Sequence, residues 1–275
     1  MEPKSKAPLS SISGRAERNQ VMSRPKVVAI IQARMDSSRL PGKVLLDLGG
    51  KTVLDWVVQR VSRVRGVDQT IVATSTAPED DAIAGFCEER GYAFTRGDLH
   101  DVLDRYMQAA NKSNADVIIR ITGDCPLIDP GMISDNLNTF FTTLPPLDFA
   151  ANRLPGDRTI PIGLDAEICT RGALETAWRE ATEPHQREHV MPFFYENPER
   201  FRILHIRHEP SYGHLRWTLD TQEDYVLLQK IVSSFDGDDF SWKEALELFL
   251  ENPQLAEINA GVSHKSQFDV EGSQP

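Results

Sequence analysis

The chain has 275 residues, 40% of them hydrophobic, and its 30 Lys and Arg against 41 Asp and Glu leave a formal net charge of -11. That length and apolar content suit one large α/β domain, or a domain with an appended lobe. The acidic balance argues against a general nucleic-acid or anionic-membrane surface, and the longest apolar runs, such as VVAII at 27–31, are far too short to cross a bilayer. Cys87, Cys125 and Cys169 are few, odd in number and far apart, which points to no disulfide framework and no zinc cluster. The N-terminus has no continuous apolar core of a secretory signal, so a cytoplasmic location is expected.

Residues 1–25 are rich in Ser, Lys, Arg and Pro without apolar periodicity and are expected to form a disordered tail. From Lys26 the pattern alternates β and α. KVVAIIQA reads as a strand covered on both faces, and TVLDWVVQRVSRV as a helix with apolar residues at 53, 54, 57, 58, 61 and 64. QTIVATS is the next strand, followed by the helix PEDDAIAGFCEERG, with Pro78 at its start and Gly91 at its end. YAFTR is a short strand, DVLDRYMQAANKS a helix and ADVIIRITGD a third strong strand. Strands alternating with helices imply right-handed crossovers and a mainly parallel sheet with flanking helices.

The second half is less regular. PIGLDAEICT, RFRILHI and HLRWTLD read as strands. RGALETAWREA, REHVMPFFYEN, TQEDYVLLQKIV and SWKEALELFLEN read as helices. One domain over 26–250 is expected, a nucleotide-type half at 26–125 continuing into a substrate-binding half at 126–250, and then a polar tail over 251–275.

The stretch IIQARMDSSRLPGKVL, leaving the first strand, packs Arg34, Arg39 and Lys43 into ten residues of an acidic protein. Ligands of open parallel sheets sit beyond the carboxyl ends of the strands. There the three cations would neutralise a triphosphate while Ser37, Ser38 and backbone N–H groups donate hydrogen bonds; a solvated basic loop is the plain alternative. GGKT at 49–52 ends like a P-loop, but the required glycine five residues before Gly50 is Leu45, so that motif is excluded. No dinucleotide glycine fingerprint follows the first strand either.

In order along the chain, IIQARMDSSRLPGKVL, TRGDLHDVLDRY, IRITGDCPLID, REHVMPFFYENPERFRI and LRWTLDTQEDY resemble the SpsF-like cytidylyltransferase family of spore-coat polysaccharide synthesis, a relative of the CMP-KDO and acylneuraminate cytidylyltransferases. The resemblance covers roughly 26–235. It implies a nucleotide-diphospho-sugar transferase fold that binds CTP, transfers CMP to a sugar and releases pyrophosphate with Mg²⁺, for surface polysaccharide, and it suggests a homodimer. It places Gln32, Ala33, Arg34, Ser37, Arg39 and Lys43 on the nucleotide, with Arg34, Arg39 and Lys43 as the catalytic cations. The chain departs from the family at Asp36, where glycine is usual; aspartate tolerates a left-handed backbone better than most residues.

Asp124 in RITGDCP and Asp220 in RWTLDTQED both end expected strands, and two carboxylates at separate strand ends can share a Mg²⁺ that keeps waters and takes phosphate oxygens. By the resemblance both are metal ligands. Asp129, before Pro130, is most simply a helix N-cap, and Thr221 with Asp224 three residues later has the pattern of a capping box. Ser75 and Arg96, at the ends of the next two strands, are nucleotide candidates, although a strand-to-helix turn explains Ser75 equally well. Arg105, four residues after Asp101, has the spacing of an ordinary surface ion pair. For the acceptor sugar, Asp165 and Glu167 would share one strand face, with Asp165 accepting from hydroxyls. Arg187 would meet an acidic group, and His189 is either a base or structural. A glycosyltransferase using a finished sugar nucleotide and a non-catalytic nucleotide-binding partner are the competing functions.

Overall fold

A computed structural model describes residues 24–263; the expected N-terminal tail (all but Arg24 and Pro25) and the end of the C-terminal one lie outside the described residues. The strands are β1 (Val27–Gln32), β2 (Asp47–Leu48), β3 (Lys51–Thr52), β4 (Gln69–Ser75), β5 (Phe94–Gly97), β6 (Val117–Thr122), β7 (Phe149–Ala151), β8 (Arg153–Leu154), β9 (Asp157–Arg158), β10 (Glu167–Thr170) and β11 (Ile203–His205). The helices are α1 (Val53–Ser62), α2 (Asp81–Arg90), α3 (Val102–Ser113), α4 (Pro130–Thr142), α5 (Arg171–Glu180), α6 (Pro184–His189), α7 (Pro192–Glu196), α8 (Gln222–Ser233), α9 (Trp242–Glu251) and α10 (Gln254–Glu257).

Seven strands form one sheet in the order β11-β7-β10-β6-β1-β4-β5. β1 is parallel to both β4 and β6, and β4 to β5, whereas β10 runs antiparallel to β6 and β7. The crossovers start on one side of β1 and then jump to the other, so the strand order reverses at β1, where open α/β sheets leave a crevice. Alternate residues of β1 feed two cores. Val27, Ala29 and Ile31 pack with residues of α1, α2 and α4, and Val28 and Ile30 with residues of α3, α5 and the α6–α7 region. A third cluster joins Trp217 and Leu219 to α8 and α9.

Helix starts follow local chemistry. Asp129 accepts from Met132 N at 2.6 Å and also from Trp242 N at 2.8 Å, so the cap of α4 ties in the start of α9. Thr221 and Asp224 form the capping box of α8.

Four expected elements are corrected. REHVMPFFYEN is two short helices, because Val190 turns to φ 69 and Pro192 opens a new helix at its first position. Only the Glu167–Thr170 end of PIGLDAEICT is a strand; Pro161–Leu164 form a turn, so Asp165 precedes the strand and does not share a face of it with Glu167. HLRWTLD joins the sheet nowhere. It makes one isolated bridge between Arg216 and Ile162, and its Leu219 N–H donates to the Asp124 carbonyl at 2.9 Å. After Glu251 the chain still packs: α10 forms and Asn259 is buried, so the polar tail does not begin at 251.

Candidate active site

A cleft of about 260 Å³ opens at the carboxyl ends of β1 and β6. The basic loop forms one lip. Gly42 takes φ 71, a left-handed turn that closes the loop through its N–H to the Met35 carbonyl at 2.9 Å and starts a short 3-10 turn carrying Lys43. Gly123 ends β6 directly against β1: its N–H donates to the Gln32 carbonyl at 2.8 Å, and a Cβ there would come within 2.9 Å of that oxygen. The missing side chain lets the two strand ends meet and brings Asp124 beside the loop.

Lys43 is 8% exposed. Its Nζ donates to Asp124 Oδ2 at 2.5 Å and to Asp220 Oδ1 at 2.6 Å. Burial alone would lower the lysine pKa, but the two carboxylates outweigh it and hold the ammonium above its ordinary value. Asp220 shows the reverse. Burial opposes its charge, yet Lys43, Arg216 and Arg39 drive its carboxyl well below the usual range. Its Oδ2 lies 2.6 Å from Arg216 and 2.9 Å from Arg39. Arg216 is held in turn by Asp224, which also accepts from the Asp220 backbone N–H at 2.9 Å. Two acids 96 residues apart in sequence therefore surround one cation because Leu219 hydrogen-bonds to the Asp124 carbonyl and Asp224 locks Arg216.

This donor set fits a hard divalent cation. Two carboxylates with oxygen ligands already converge on one positive charge, and a Mg²⁺-like ion would complete its shell with waters and phosphate oxygens. Among the described residues no cluster of three or more His, Cys, Asp or Glu forms a closed metal cage. Cys125, next to Asp124, is buried, and that burial pushes its thiol far above the ordinary range.

The expected residues divide into two groups. Gln32, Ala33, Arg34, Ser37, Arg39, Lys43, Asp124, Asp220 and His189 all line the cleft. Asp36 lines its exposed rim without the left-handed backbone that its substitution for glycine suggested; the only non-glycine residues with positive φ among the described ones are Asn114 and Val190. Ser75, Arg96, Asp165 and Arg187 are not part of the lining. Ser75 is buried against Asp80 and donates its hydroxyl there, and Arg96 spans the same turn to the Ser75 carbonyl at 2.7 Å and to Asp81 at 2.7 Å. Asp165 is held by Arg158, and Arg187 by Asp101 and the Trp178 carbonyl.

The cleft also holds Arg120, Arg153, Glu188 and Tyr195, which the sequence pattern did not single out, and Glu167 and Arg105, which it read only as a strand-face carboxylate and a surface ion pair. Arg120 and Glu167 face each other across the β6–β10 ladder and form a buried ion pair, while Arg120 Nε donates to Gln32 Oε1 at 3.0 Å. Burial would lower Arg120, but Glu167 outweighs it and keeps the guanidinium charged. Arg153, Glu188, Tyr195 and Arg105 complete this side, with Glu188 lying 3.5 Å from Arg34. His189 Nε2 is buried without a hydrogen-bond partner; burial first, then nearby Arg120, lowers its pKa to about 4, so the imidazole is neutral near pH 7. Two signals were available. Arg120 is a lone charge inside the apolar strand VIIRIT, and Arg105 falls three residues after Val102 on the apolar stripe of its helix.

A family model described as "Cytidylyltransferase" matches residues 28–260. The spore coat polysaccharide biosynthesis protein SpsF of Bacillus subtilis is 32% identical over 247 residues, 84% of this chain and 96% of that protein. A cytidylyltransferase structure from Leptospira borgpetersenii superposes with a TM-score of 0.81 at 32% identity, covering 88% of this chain and all of that one. The structure of CMP:2-keto-3-deoxy-manno-octonic acid synthetase complexed with CTP shares the fold, with a TM-score of 0.56 at 21% identity over 76% of this chain and 99% of that one. With the sheet order and the loop–acid geometry above, these matches place the chain in the cytidylyltransferase family, as an SpsF-like member with the nucleotide-diphospho-sugar transferase fold.

Proposed function

We propose that this protein transfers CMP from CTP to a hydroxyl of a sugar, releasing pyrophosphate, in the synthesis of a surface polysaccharide. The observation that carries the reading is the meeting of Lys43 and Arg39 with Asp124 and Asp220 at the β1–β6 edge. Two of the relatives, a spore coat polysaccharide biosynthesis protein and a synthetase complexed with CTP, agree with it. Arg34, Arg39 and Lys43 hold the phosphates, and the backbone at Ala33 and Ser37 borders them. A divalent ion held by Asp124 and Asp220, Mg²⁺ in our reading, would supply charge neutralisation on the α-phosphate and the departing pyrophosphate. The acceptor would lie along Arg120, Glu167, His189 and Tyr195, whose side chains supply both donors and acceptors for sugar hydroxyls. Its oxygen bonds to the α-phosphorus as the bond to the β-phosphate oxygen breaks, and neutral His189 offers Nε2 to the hydroxyl proton. Alignment and electrostatics supply most of such catalysis.

The test is CTP-dependent pyrophosphate release, with and without Mg²⁺, across a panel of 2-keto-3-deoxy sugar acids and sugar phosphates. A thermal-shift screen accompanies it: CTP with Mg²⁺ should raise the melting temperature. Stabilisation by sugar nucleotides but not by CTP, with release of nucleoside diphosphate, would overturn the reading in favour of a glycosyltransferase.

A further inference from the structure

Gln32, the last residue of β1, stands where the two walls of the cleft meet. Its backbone carbonyl accepts from Gly123 N–H at 2.8 Å, directly before Asp124 of the acid pair. Its side chain belongs to the other wall: Oε1 accepts from Arg120 Nε at 3.0 Å and lies 3.4 Å from the Tyr106 hydroxyl. Arg120 is itself fixed by its ion pair with Glu167 across the β6–β10 ladder. An arginine N–H only donates, so turning the amide over would set two donors against each other. The oxygen is therefore committed to Arg120, and the amide nitrogen faces away from it. Among the described residues nothing accepts from that Nε2, and it keeps contact with solvent on a half-buried residue of the cleft lining.

Two N–H groups held in one orientation, with no lone pair left on the amide to offer, suit an oxygen that carries lone pairs and no proton. The walls of the cleft name that oxygen. The loop that takes the phosphates begins one residue later, at Ala33 and Arg34, and Asp124 lies beside it; the acceptor wall is Arg120 with Glu167. The α-phosphoryl group is bonded to the rest of the triphosphate and is attacked by the acceptor. It has to lie between the two walls, as Gln32 does.

We propose that Gln32 Nε2 donates to a non-bridging oxygen of the α-phosphate, the group that is transferred. The proposal rests on the nucleotidyl-transfer reading given above. As the acceptor oxygen bonds to the α-phosphorus and the bond to the β-phosphate oxygen breaks, the donor stays aimed at the phosphoryl oxygen. Because Arg120 has already fixed the amide, no reorganisation accompanies the step.

Titration calorimetry without sugar acceptor tests this on the whole chain, using CTP, inorganic pyrophosphate and the two α-thio diastereomers of CTP, in which sulfur replaces one non-bridging α-oxygen. In the unaltered protein one diastereomer should bind about 10-fold weaker than CTP, whether Mg²⁺ or Cd²⁺ is present, since sulfur is a poor acceptor for an amide N–H. That comparison alters only the ligand and needs no folded variant. In Gln32→Met, CTP should bind about 10–100-fold weaker, the range of one hydrogen bond to a charged group. The same diastereomer should then bind as well as CTP does, and pyrophosphate, which lacks the α-group, should bind as before. Should Gln32→Met not fold, Gln32→Glu keeps an acceptor for Arg120, loses both N–H groups and carries the same comparison of diastereomers. The assignment is overturned if neither diastereomer binds weaker than CTP in both metals, or if the penalty survives in the variant. A parallel loss of CTP and pyrophosphate, which makes Gln32 a support of the phosphate loop, overturns it too, as does unchanged CTP binding, which puts the amide on the acceptor. If the unaltered protein binds neither CTP nor pyrophosphate, the nucleotidyl-transfer reading fails first and this one with it.

Discussion

Replacing Lys43 with Met should have opposite effects on metal binding and on turnover. The ammonium donates to Asp124 at 2.5 Å and to Asp220 at 2.6 Å, so a divalent ion that takes both carboxylates must first displace it. Charge-assisted hydrogen bonds contribute about 1.5–3 kcal/mol each when buried. The carboxylates are about one-fifth exposed, at 23% and 20% of their side chains, so the lower end applies, about 2–3 kcal/mol for the two together. At about 1.4 kcal/mol per decade, Lys43→Met should bind Mn²⁺ without nucleotide roughly 30–140-fold tighter than the unaltered protein. Electron paramagnetic resonance of free Mn²⁺ reads this directly. Without metal the variant should melt earlier, because the two acids then repel each other, and Mn²⁺ should restore it. CTP-dependent turnover should fall by about 10²–10³, as for loss of one preorganised charge on a phosphoryl transition state. If Lys43→Met binds Mn²⁺ no better than the unaltered protein, the acid pair is a structural ion-pair network and the metal assignment is wrong.

Other outcomes follow from the same geometry. Glu167→Gln strands the buried Arg120 and should cost about 3–5 kcal/mol in denaturant titrations, with partial recovery in the Arg120→Gln, Glu167→Gln double variant; a loss below about 1 kcal/mol would contradict the pairing. His189, with its pKa lowered from 6.5 to about 4, binds its proton more readily in the unfolded chain. Its contribution to stability is therefore complete above pH 6.5 and is lost as pH falls toward 4, by at most about 3 kcal/mol. Urea midpoints should show that step in the unaltered protein and lack it in His189→Gln. Gly123→Ala puts a Cβ 2.9 Å from the Gln32 carbonyl and 3.1 Å from Ala33 Cβ, so the ends of β1 and β6 must part. Turnover should drop at least about 10-fold with a stability loss of about 1–3 kcal/mol, and an unaffected rate would show that the tight approach of the two strand ends is not needed.

The first half of the fold was legible because its signals are local: continuous apolar runs for β1, β4 and β6, Gly91 closing the second helix (its expected start at Pro78 is instead a separate 3-10 turn, Pro78–Asp80, before the helix begins at Asp81), and Asp129 before Pro130 as a cap. The cationic loop was legible from composition, since three positive side chains in ten residues stand out in an acidic chain. The second half was harder, because its segments are fixed by partners distant in sequence. HLRWTLD has the alternation of a strand, but its backbone is engaged by Ile162 and Asp124, so it ends as a strap across the sheet edge. Asp165 and Arg187 have the right chemistry for an acceptor site, and Arg158 and Asp101 neutralise them away from it. Arg105 misled in the other direction: its spacing from Asp101 matched a surface pair, and only packing shows that the acid is committed elsewhere. Spacing along one helix cannot rank competing partners from other elements.

Asp224 has a consequence that reaches past the capping of one helix. Its carboxylate takes Arg216 from one side and Asn259 from the other, and Asn259 also donates to the Arg216 carbonyl at 3.0 Å; farther on, the Ser263 carbonyl accepts from Arg39. The orientation of Asp220 is thus guaranteed by residues that come after the last long helix. Trimming the protein at the end of α9, as its polar composition invites, would remove the keystone of an arch while leaving Arg39, Lys43, Asp124 and Asp220 in the chain.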